Sequence, residues 1–317
     1  MNNYQKGILT AVLIMFLLAF GSGWYMIQYS LVPDNRGKDI EGSIKYIKET
    51  YPYVGSWLDS LEQERALLDT FIINKEGKKL HAYYVRAASP SKKTAVVVHG
   101  YTDNALRMMM IGYLYNHSLG YNVLLPDLQF HGKSEGDAIQ MGWKDRLDVL
   151  EWIDLTKELF DQDNQTVVHG ISMGAATTMM LSGEKLPNSV KCLIEDCGYT
   201  TVWEQFEKEL KERFGLPSFP ILHTANMLCK LFYQWDFKTA SAIDAVRKST
   251  LPIFFIHGDA DRYVPTEMVY PLYHAKSRGD KEIWIVPGAA HAVAFKENPK
   301  TYTQKVKEFT SRYIHED

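Results

Sequence analysis

Ser172 is the residue whose surroundings most clearly predict chemistry. It is the centre of residues 170–174, which have the sequence Gly-Ile-Ser-Met-Gly. The β-branched residues 166–168 before this pattern predict a buried strand, and the small and apolar residues 175–180 after it predict a buried helix. A serine in this pattern between a strand and a helix is typical of a nucleophile elbow, in which a strained turn exposes the hydroxyl. The backbone N–H of Met173, at the start of the helix, would then point toward negative charge that develops on a substrate.

A catalytic serine needs two partners elsewhere in the chain, because its hydroxyl is a poor nucleophile until a base takes the proton and an acid orients that base. His291 follows a predicted strand near the end of the chain and is the candidate base. Asp259 and Asp261 follow the strand before that one, and Asp196 follows an earlier strand. Loops after parallel strands meet at one edge of a sheet, so each carboxylate is a candidate acid. The pattern around Ser172 alone also allows an idle serine in a glycine-rich turn.

The elements that would position these residues alternate along the chain. Residues 70–73 and 80–85 flank Glu76-Gly77 and predict an antiparallel hairpin. Beyond the hairpin, strands alternate with helices, which predicts an α/β fold with a mostly parallel sheet covered by helices on both faces. The further predicted strands are 95–98, 121–125, 166–168, 190–194, 252–256 and 282–286. The predicted helices include 106–116, 143–153 and 300–313.

Residues 198–250 interrupt this alternation. They contain no convincing strand, whereas residues 203–213 and 224–233 have helical patterning. Because so long a loop without secondary structure is uncommon in a compact domain, we expect a small helical cap over the strand ends. Its bulky apolar residues, Phe219 and Phe232 among them, either pack the cap onto the body or line a substrate pocket.

The N-terminal region has the composition of a membrane span. No charged residue lies between Lys6 and Asp34. The mostly apolar residues 8–27 would form a helix that spans the ~30 Å hydrocarbon core of a bilayer at ~1.5 Å per residue. A cleaved signal peptide is the alternative, because residues 19–21 resemble a cleavage site, and a buried helix of a soluble domain is the third interpretation. We expect an uncleaved anchor, with the large domain that follows it on the outer face of the membrane.

The predicted regions are the anchor at 1–30, a juxtamembrane connection at 31–68 and a catalytic domain at 69–317 that includes the cap at about 198–250.

Composition and motifs exclude several other classes of protein. The chain has 317 residues and a net charge of −3, so it has no excess of basic residues for binding nucleic acid. It has no glycine-rich motif for a nucleotide phosphate and no His/Cys spacing typical of a metal site, so we expect neither a cofactor nor a metal. Cys192 and Cys197 flank a predicted strand, too far apart for a disulfide, and with Cys229 we expect three packed thiols.

The chain from about residue 70 to 317 resembles the α/β-hydrolase superfamily, and it is similar to bacterial carboxylesterases with an N-terminal anchor. Besides the elbow, the resemblance rests on residues 99–104, His-Gly-Tyr-Thr-Asp-Asn, and on 126–136, which begin Pro-Asp-Leu-Gln-Phe-His-Gly. Residues 257–265 match the family segment H-G-x-x-D-x-x-V-P, whose acid is the aspartate three residues after the glycine, Asp261 here. Two residues depart from the family pattern, namely Ile171 in place of a common histidine and Gln129 in place of a common arginine. The second departure implies that a structural ion pair is missing.

The resemblance implies an α/β-hydrolase fold and the hydrolysis of carboxylic esters through an acyl-enzyme. The expected substrate is a small-molecule ester, and the expected partner is the membrane that holds the N-terminal helix. Thioesterase, monoacylglycerol lipase and peptidase activities remain alternatives because they share acyl-enzyme chemistry, and a membrane-tethered binding protein is the alternative from another class. The site residues implied are Ser172, Asp261 and His291 as the catalytic triad, with Tyr101 and Met173 as backbone N–H donors to the oxyanion.

Overall fold

The chain divides into two units, which the computed structural model describes over residues 2–315. The larger one, here called the sheet unit, comprises Asn35–Thr200 and the chain from Ser241 onward. The smaller one, here called the helical unit, comprises the chain up to Asp34 and Thr201–Ala240. The second segment of the helical unit therefore falls inside the residues predicted as a cap.

The sheet unit is built on one sheet of eight strands. The strands are β1 Leu68–Ile73, β2 Lys79–Val85, β3 Lys93–Val98, β4 Asn122–Pro126, β5 Gln165–Ile171, β6 Val190–Asp196, β7 Ile253–Gly258 and β8 Lys281–Val286. Their order across the sheet is β1-β2-β4-β3-β5-β6-β7-β8. The pairs β1–β2 and β2–β4 are antiparallel, and the other neighbours are parallel. The predicted α/β fold with a mostly parallel sheet is confirmed.

Twelve α-helices occur in the described residues. They are α1 Asn3–Leu31, α2 Ile40–Thr50, α3 Pro52–Gln63, α4 Met109–Tyr113, α5 Asp145–Leu159, α6 Met173–Leu181, α7 Val202–Phe214, α8 Ile221–Tyr233, α9 Ala242–Lys248, α10 Val269–Ala275, α11 Ala294–Glu297 and α12 Pro299–Thr310. The stretch 106–116, predicted as one helix, is instead made of three short pieces, because a 3₁₀ turn precedes α4 and a π turn follows it.

Helices α2 and α3 make the predicted juxtamembrane connection a part of the core. The side chains of Ile47, Val54 and Leu58 are fully buried and belong to the main hydrophobic cluster of the sheet unit. Pro52 begins α3 because a proline at the first helical position loses no intrahelical hydrogen bond. The segment therefore stabilises the sheet unit through apolar burial.

Six strands bring their carboxyl ends to one edge of the sheet. Parallel strands β4, β3, β5, β6, β7 and β8 are neighbours in this order, so the loops that follow them emerge on the same side. The last paired residues are Val98 with Gly170, Ile171 with Asp196, Asp196 with Ile256 and Gly258 with Val286. These loops carry Tyr101, Ser172, Asp261 and His291, and Met173 begins the helix that follows β5.

The helical unit consists of α1, α7 and α8. The predicted helical patterning of residues 203–213 and 224–233 is confirmed by α7 and α8. Thr201 caps α7 by accepting a hydrogen bond from the N–H of Glu204, and Gly215 ends the helix in a left-handed conformation. Helix α1 packs against α8, where Gly23 lies against Thr224.

Helix α1 is long and apolar enough to cross a membrane, with a mean hydropathy of 2.0 over its most apolar 18 residues. Only its C-terminal half has a covered face, formed by Gly23, Ile27 and Leu31. The turns before that half leave their apolar side chains exposed.

Candidate active site

The turn between β5 and α6 holds Ser172 in a conformation that few residues other than glycine adopt, with φ 58° and ψ −118°. Two close approaches make this turn possible. A methyl group on Gly170 would overlap the carbonyl of Gly174, and one on Gly174 would overlap the carbonyl of Val98. The two glycines therefore let strand, turn and helix pack within van der Waals contact, as the elbow pattern predicts.

A continuous chain of hydrogen bonds joins Ser172, His291 and Asp261. The Ser172 hydroxyl donates to Nε2 of His291, with Oγ 2.8 Å from the nitrogen. The opposite nitrogen of the ring, Nδ1, donates to Oδ2 of Asp261 at 2.7 Å. The carboxylate thus fixes the tautomer in which Nε2 is free to accept a proton. This is the arrangement that activates a serine hydroxyl.

The carboxylate of Asp261 is held in its ionised form. Burial alone would raise the pKa of Asp261, but hydrogen bonds with His257 and His291 lower it to about 2. Its other oxygen, Oδ1, accepts the backbone N–H groups of Tyr263 at 2.9 Å and Val264 at 3.0 Å. A buried carboxylate with this many donors is both charged and fixed in orientation.

The structure separates the three candidate acids. Asp259 turns away from His291 and accepts the backbone N–H of Gly288 at 2.6 Å, so it braces the loop after β8. The carboxylate of Asp196 accepts the hydroxyl of Tyr302 at 2.9 Å. Asp261 is the one of the three whose carboxylate contacts the ring of His291 in the described hydrogen bonds.

The loop after β3 brings Tyr101 beside the elbow. A methyl group on Gly100 would lie 3.5 Å from the Cβ of Ser172, so the two turns are in contact. Thr102 has a positive φ of 55°, and its N–H donates to Nε2 of the buried His131 at 3.2 Å. The backbone N–H of Met173 is the first of α6. Two turns that can offer backbone donors thus flank the serine hydroxyl.

Residues 120–317 match the model of the prolyl oligopeptidase family. The chain belongs to that family. The matched region spans Ser172, Asp261 and His291 but begins after the loop of Tyr101.

Individual relatives align with most of this chain. YqkD of Bacillus subtilis strain 168 is 30% identical over 233 residues, which are 74% of this chain and 75% of that protein. The structure of the Pyrococcus furiosus esterase Pf2001 is similar with a TM-score of 0.64 and 24% identity, over 78% of this chain and 93% of that one. Est1E from Butyrivibrio proteoclasticus has a TM-score of 0.59 and 20% identity, over 77% and 98% of the two chains. The chain is therefore an α/β-hydrolase, and its family and fold make it a serine hydrolase.

Sequence reasoning missed the residues that hold the loops of this prolyl oligopeptidase family member in place. His131 fixes its ring by donating from Nδ1 to the carbonyl of Gln129 at 2.8 Å, which leaves Nε2 to accept the N–H of Thr102. Burial lowers the pKa of His131 well below its usual range, so the ring stays neutral and can accept. The signal was present in residues 126–136, which the family resemblance includes.

Asp127 is the centre of the loop after β4. Its Oδ1 accepts the N–H of Ala105 at 2.8 Å, and its Oδ2 accepts the N–H of Lys133 at 3.0 Å. The same Oδ2 lies 2.7 Å from Nδ1 of the buried His81. Because Ala105 directly follows residues 99–104, this one carboxylate ties the loop of Tyr101 to the loop of His131.

Gln129, which replaces the arginine common in the family, has a partner of its own. Its Nε2 donates to Oδ2 of Asp148 at 2.8 Å, and Asn74 donates to Oδ1 of the same carboxylate at 2.8 Å. Burial raises the pKa of Asp148 to about 6. Two amide hydrogen bonds thus take the place of the ion pair common in the family, and both favour the ionised form of the carboxyl group by lowering its pKa.

A second buried hydrogen-bond chain runs behind the elbow. The Tyr115 hydroxyl lies 3.1 Å from Nδ1 of His169, and Nε2 of that ring lies 2.9 Å from the Tyr302 hydroxyl, which donates to Asp196. Burial lowers the pKa of His169 to about 3, so the ring is neutral. One of its nitrogens therefore accepts a hydrogen bond and the other donates one. Because the carbonyl of Asp196 accepts the N–H of Ser172 at 2.8 Å, this chain supports the turn that carries the serine.

Among the described residues, one group of side chains has the geometry to ligate a metal. It comprises Cys197, Asp261 and His291, whose ligand atoms lie within 4.8 Å of one another. Two of the three already hydrogen-bond to each other, and burial raises the pKa of the Cys197 thiol well above its usual range. A metal ion there would have to break the Asp261–His291 hydrogen bond, so the group does not suit a resident ion.

Proposed function

We propose that this chain hydrolyses carboxylic esters through an acyl-enzyme formed on Ser172. One observation carries the proposal: Ser172, His291 and Asp261 form an uninterrupted set of hydrogen bonds of 2.8 and 2.7 Å at the carboxyl edge of a parallel sheet. The named esterases of similar fold support an ester as the substrate.

The reaction begins when Nε2 of His291 takes the Ser172 proton as the serine oxygen attacks the ester carbonyl carbon. The backbone N–H groups of Tyr101 and Met173 stabilise the resulting oxyanion, and each such donor contributes about 3–4 kcal/mol to the transition state. The carbon–oxygen bond to the alcohol then breaks, and His291 gives its proton to the leaving alkoxide. A water molecule attacks the acyl-enzyme in the same way, which releases the acid and restores the serine.

Asp261 stays ionised throughout the cycle because its pKa lies far below neutral. Its role is to hold Nδ1–H of His291 and to stabilise the imidazolium that forms after each proton transfer. The residues present supply nucleophile, base, acid and oxyanion donors, so no step requires a cofactor.

Peptide-bond hydrolysis is the second candidate, because the family is named for oligopeptidases. The two activities share the acyl-enzyme and differ in the leaving group. Measuring kcat/KM for p-nitrophenyl esters of graded chain length, thioesters, a monoacylglycerol and prolyl peptide amides would distinguish esterase, thioesterase, lipase and peptidase activities. Turnover of the peptides above that of every ester would overturn the ester assignment.

The nucleophile is tested by labelling with a fluorophosphonate probe, which reacts only with an activated serine. Ser172→Ala should lose the label and lower ester hydrolysis roughly 10⁴- to 10⁶-fold. Ser56→Ala is the matched control, because Ser56 lies exposed on α3 and its replacement should leave both labelling and turnover unchanged. Retained hydrolysis in Ser172→Ala with intact folding would exclude the acyl-enzyme on this residue, and a folded wild type that never labels would favour a binding protein.

We also propose that α1 anchors the enzyme in a membrane, with the sheet unit on the outer face. The supporting features are the length of α1, its mean hydropathy of 2.0 and the exposure of its N-terminal turns. Cells that express the full chain should carry ester hydrolysis in the membrane pellet, and deletion of residues 1–30 should move it to the soluble fraction. The mass of the mature protein shows whether residue 27 is retained. If it is retained, the N-terminal segment is not a cleaved signal peptide. Protease added to wall-stripped cells should degrade the domain, and a protected domain would reverse the orientation.

A further inference from the structure

Helix α8 has an exposed apolar face in addition to its buried one. Leu222, Leu228 and other residues on one side of the helix are buried. On another side, the side chains of Met227 and Leu231 remain 51% and 69% exposed, and Phe232, at the C-terminal end of the helix, remains 52% exposed. A surface helix of a soluble protein carries polar residues at such positions, so this face requires an apolar neighbour.

The position of α8 along α1 indicates what that neighbour is. Gly23 of α1 faces Thr224 and Ala225, and further along, Leu31 lines an apolar cavity together with Leu222. Residue numbers therefore rise along α1 as they fall along α8, and the two helices are antiparallel. The C-terminal end of α8 points toward the exposed N-terminal half of α1, and Phe232 meets Trp24 edge to face at 5.3 Å.

The rise per residue of an α-helix shows which turns of α1 lie beside the exposed face of α8. Phe232 lies seven residues beyond Ala225, which corresponds to about 10 Å along the helix. The same distance along α1 from Gly23 toward the N-terminus reaches Phe16 and Leu17, whose side chains are 61% and 58% exposed. Any bilayer that covers these turns of α1 therefore also reaches the end of α8.

We propose that the exposed apolar surface formed by Met227 and Leu231 together with Phe232 at the end of the helix, here called the α8 face, is immersed in the same lipid leaflet as α1. The proposal rests on the proposed membrane anchor and adds a second membrane-embedded helix. Lys230 is compatible with this location, because its long side chain can extend to Asp236, with which it forms an ion pair. The helical unit would thus contact lipid through two antiparallel helices.

The test uses the full chain, reconstituted in vesicles of phosphatidylcholine and phosphatidylglycerol, with an environment-sensitive fluorophore on one introduced cysteine. Leu231→Cys reports on the α8 face, and Leu13→Cys reports on the anchor. Lys211→Cys, exposed on α7 of the same unit, is the aqueous control. The three native cysteines are buried, so they should react slowly with a charged maleimide. We expect a blue shift and quenching by brominated lipids at positions 231 and 13, and neither at 211.

The outcomes separate the two proposals. A fluorophore that is lipid-exposed at 13 but aqueous at 231 would overturn the lipid contact of the α8 face and leave the anchor intact. An aqueous fluorophore at 13 would overturn both. Met227→Cys, one turn earlier on the same face, repeats the measurement if Leu231→Cys is misfolded. Each labelled variant should hydrolyse a soluble ester within about twofold of wild type, because an exposed surface substitution changes stability by no more than about 0.5 kcal/mol.

Discussion

The two units position their candidate functional groups by different physical means. At the edge of the sheet unit, Ser172, His291 and Asp261 are linked by short hydrogen bonds in a largely buried setting. In the helical unit, α1 and α8 make mainly apolar contacts and leave apolar side chains exposed. Directional bonds fail abruptly when one partner changes, whereas apolar contacts weaken in proportion to the area lost. We therefore expect steep effects in the first region and graded effects in the second.

The largest effect should come from replacing Asp261, the one of two acids in the same loop that contacts His291. Asp261→Asn puts an amide beside Nδ1 of His291, which favours the wrong tautomer and should lower kcat/KM by about 10²- to 10⁴-fold. Asp259→Asn is the matched control, because Asp259 contacts only the N–H of Gly288 among its described hydrogen bonds and should retain most activity. Hydrolysis of p-nitrophenyl butyrate measures both variants. The reverse order of activities would mean that the two roles are exchanged.

A smaller effect should follow from releasing the loop of Tyr101. His131→Phe removes the acceptor for the Thr102 N–H, so the neighbouring N–H of Tyr101, the proposed oxyanion donor, should lose its fixed position. We expect kcat to fall about 10- to 100-fold with little change in KM, because the donor acts on the transition state. His117→Phe, at an exposed histidine, is the control. A proportional rise in KM with unchanged kcat would assign His131 to substrate binding instead.

The difference between the units also explains how much could be predicted from the sequence. Ser172, Asp261 and His291 each follow an apolar strand within a few residues, so a local pattern was enough to propose that they meet. The bond between Thr102 and His131 joins residues 29 positions apart, and neither has a local pattern that names its partner. A family resemblance included both segments but assigned them no contact.

Packing between distant helices was the least predictable part. Residues such as Ile47 and Leu58 belong to the predicted juxtamembrane connection, but whether they enclose a core depends on what covers them. The same holds for α1, whose composition predicts a membrane span but carries no information on its contact with α8. Apolar periodicity identifies a face that must be buried and does not identify the surface that buries it.

Buried carboxyl groups of the sheet unit should give it a pH-dependent stability. Burial raises the pKa of Asp145 to about 7, and its Oδ1 has no hydrogen-bond partner among the described residues. A carboxyl group whose pKa is raised in the folded state stabilises that state most below its unfolded pKa, near 3.9. This stabilisation is lost as the pH rises through the folded pKa of about 7. Asp145→Asn keeps an acceptor for the N–H of Gly142 and removes the titration.

We therefore compare the free energy of unfolding of Asp145→Asn with that of wild type at two pH values. The difference in favour of the variant should be roughly 2–4 kcal/mol larger at about pH 8 than at about pH 4. Urea unfolding at the two pH values measures this change. Glu151→Gln, on the same helix but half-buried, should show a much smaller one. Equal stability differences at both pH values would show that the pKa of Asp145 is the same in the folded and unfolded states.

The smallest effect should come from the bulky residues of the helical unit that the sequence suggested for a substrate pocket. Phe219 and Phe232 are 71% and 52% exposed, and their described ring contacts are with His223 and Trp24. Because exposed substitutions rarely change a free energy by more than about 0.5 kcal/mol, Phe219→Ala and Phe232→Ala should alter the preference among ester chain lengths by about twofold or less. Ratios of kcat/KM for acetate, butyrate and octanoate p-nitrophenyl esters in detergent measure the preference. A change above about 10-fold in either variant would mean that the side chain contacts the acyl chain. Adding or removing one methylene in a hydrophobic substrate pocket changes kcat/KM by at least about that factor.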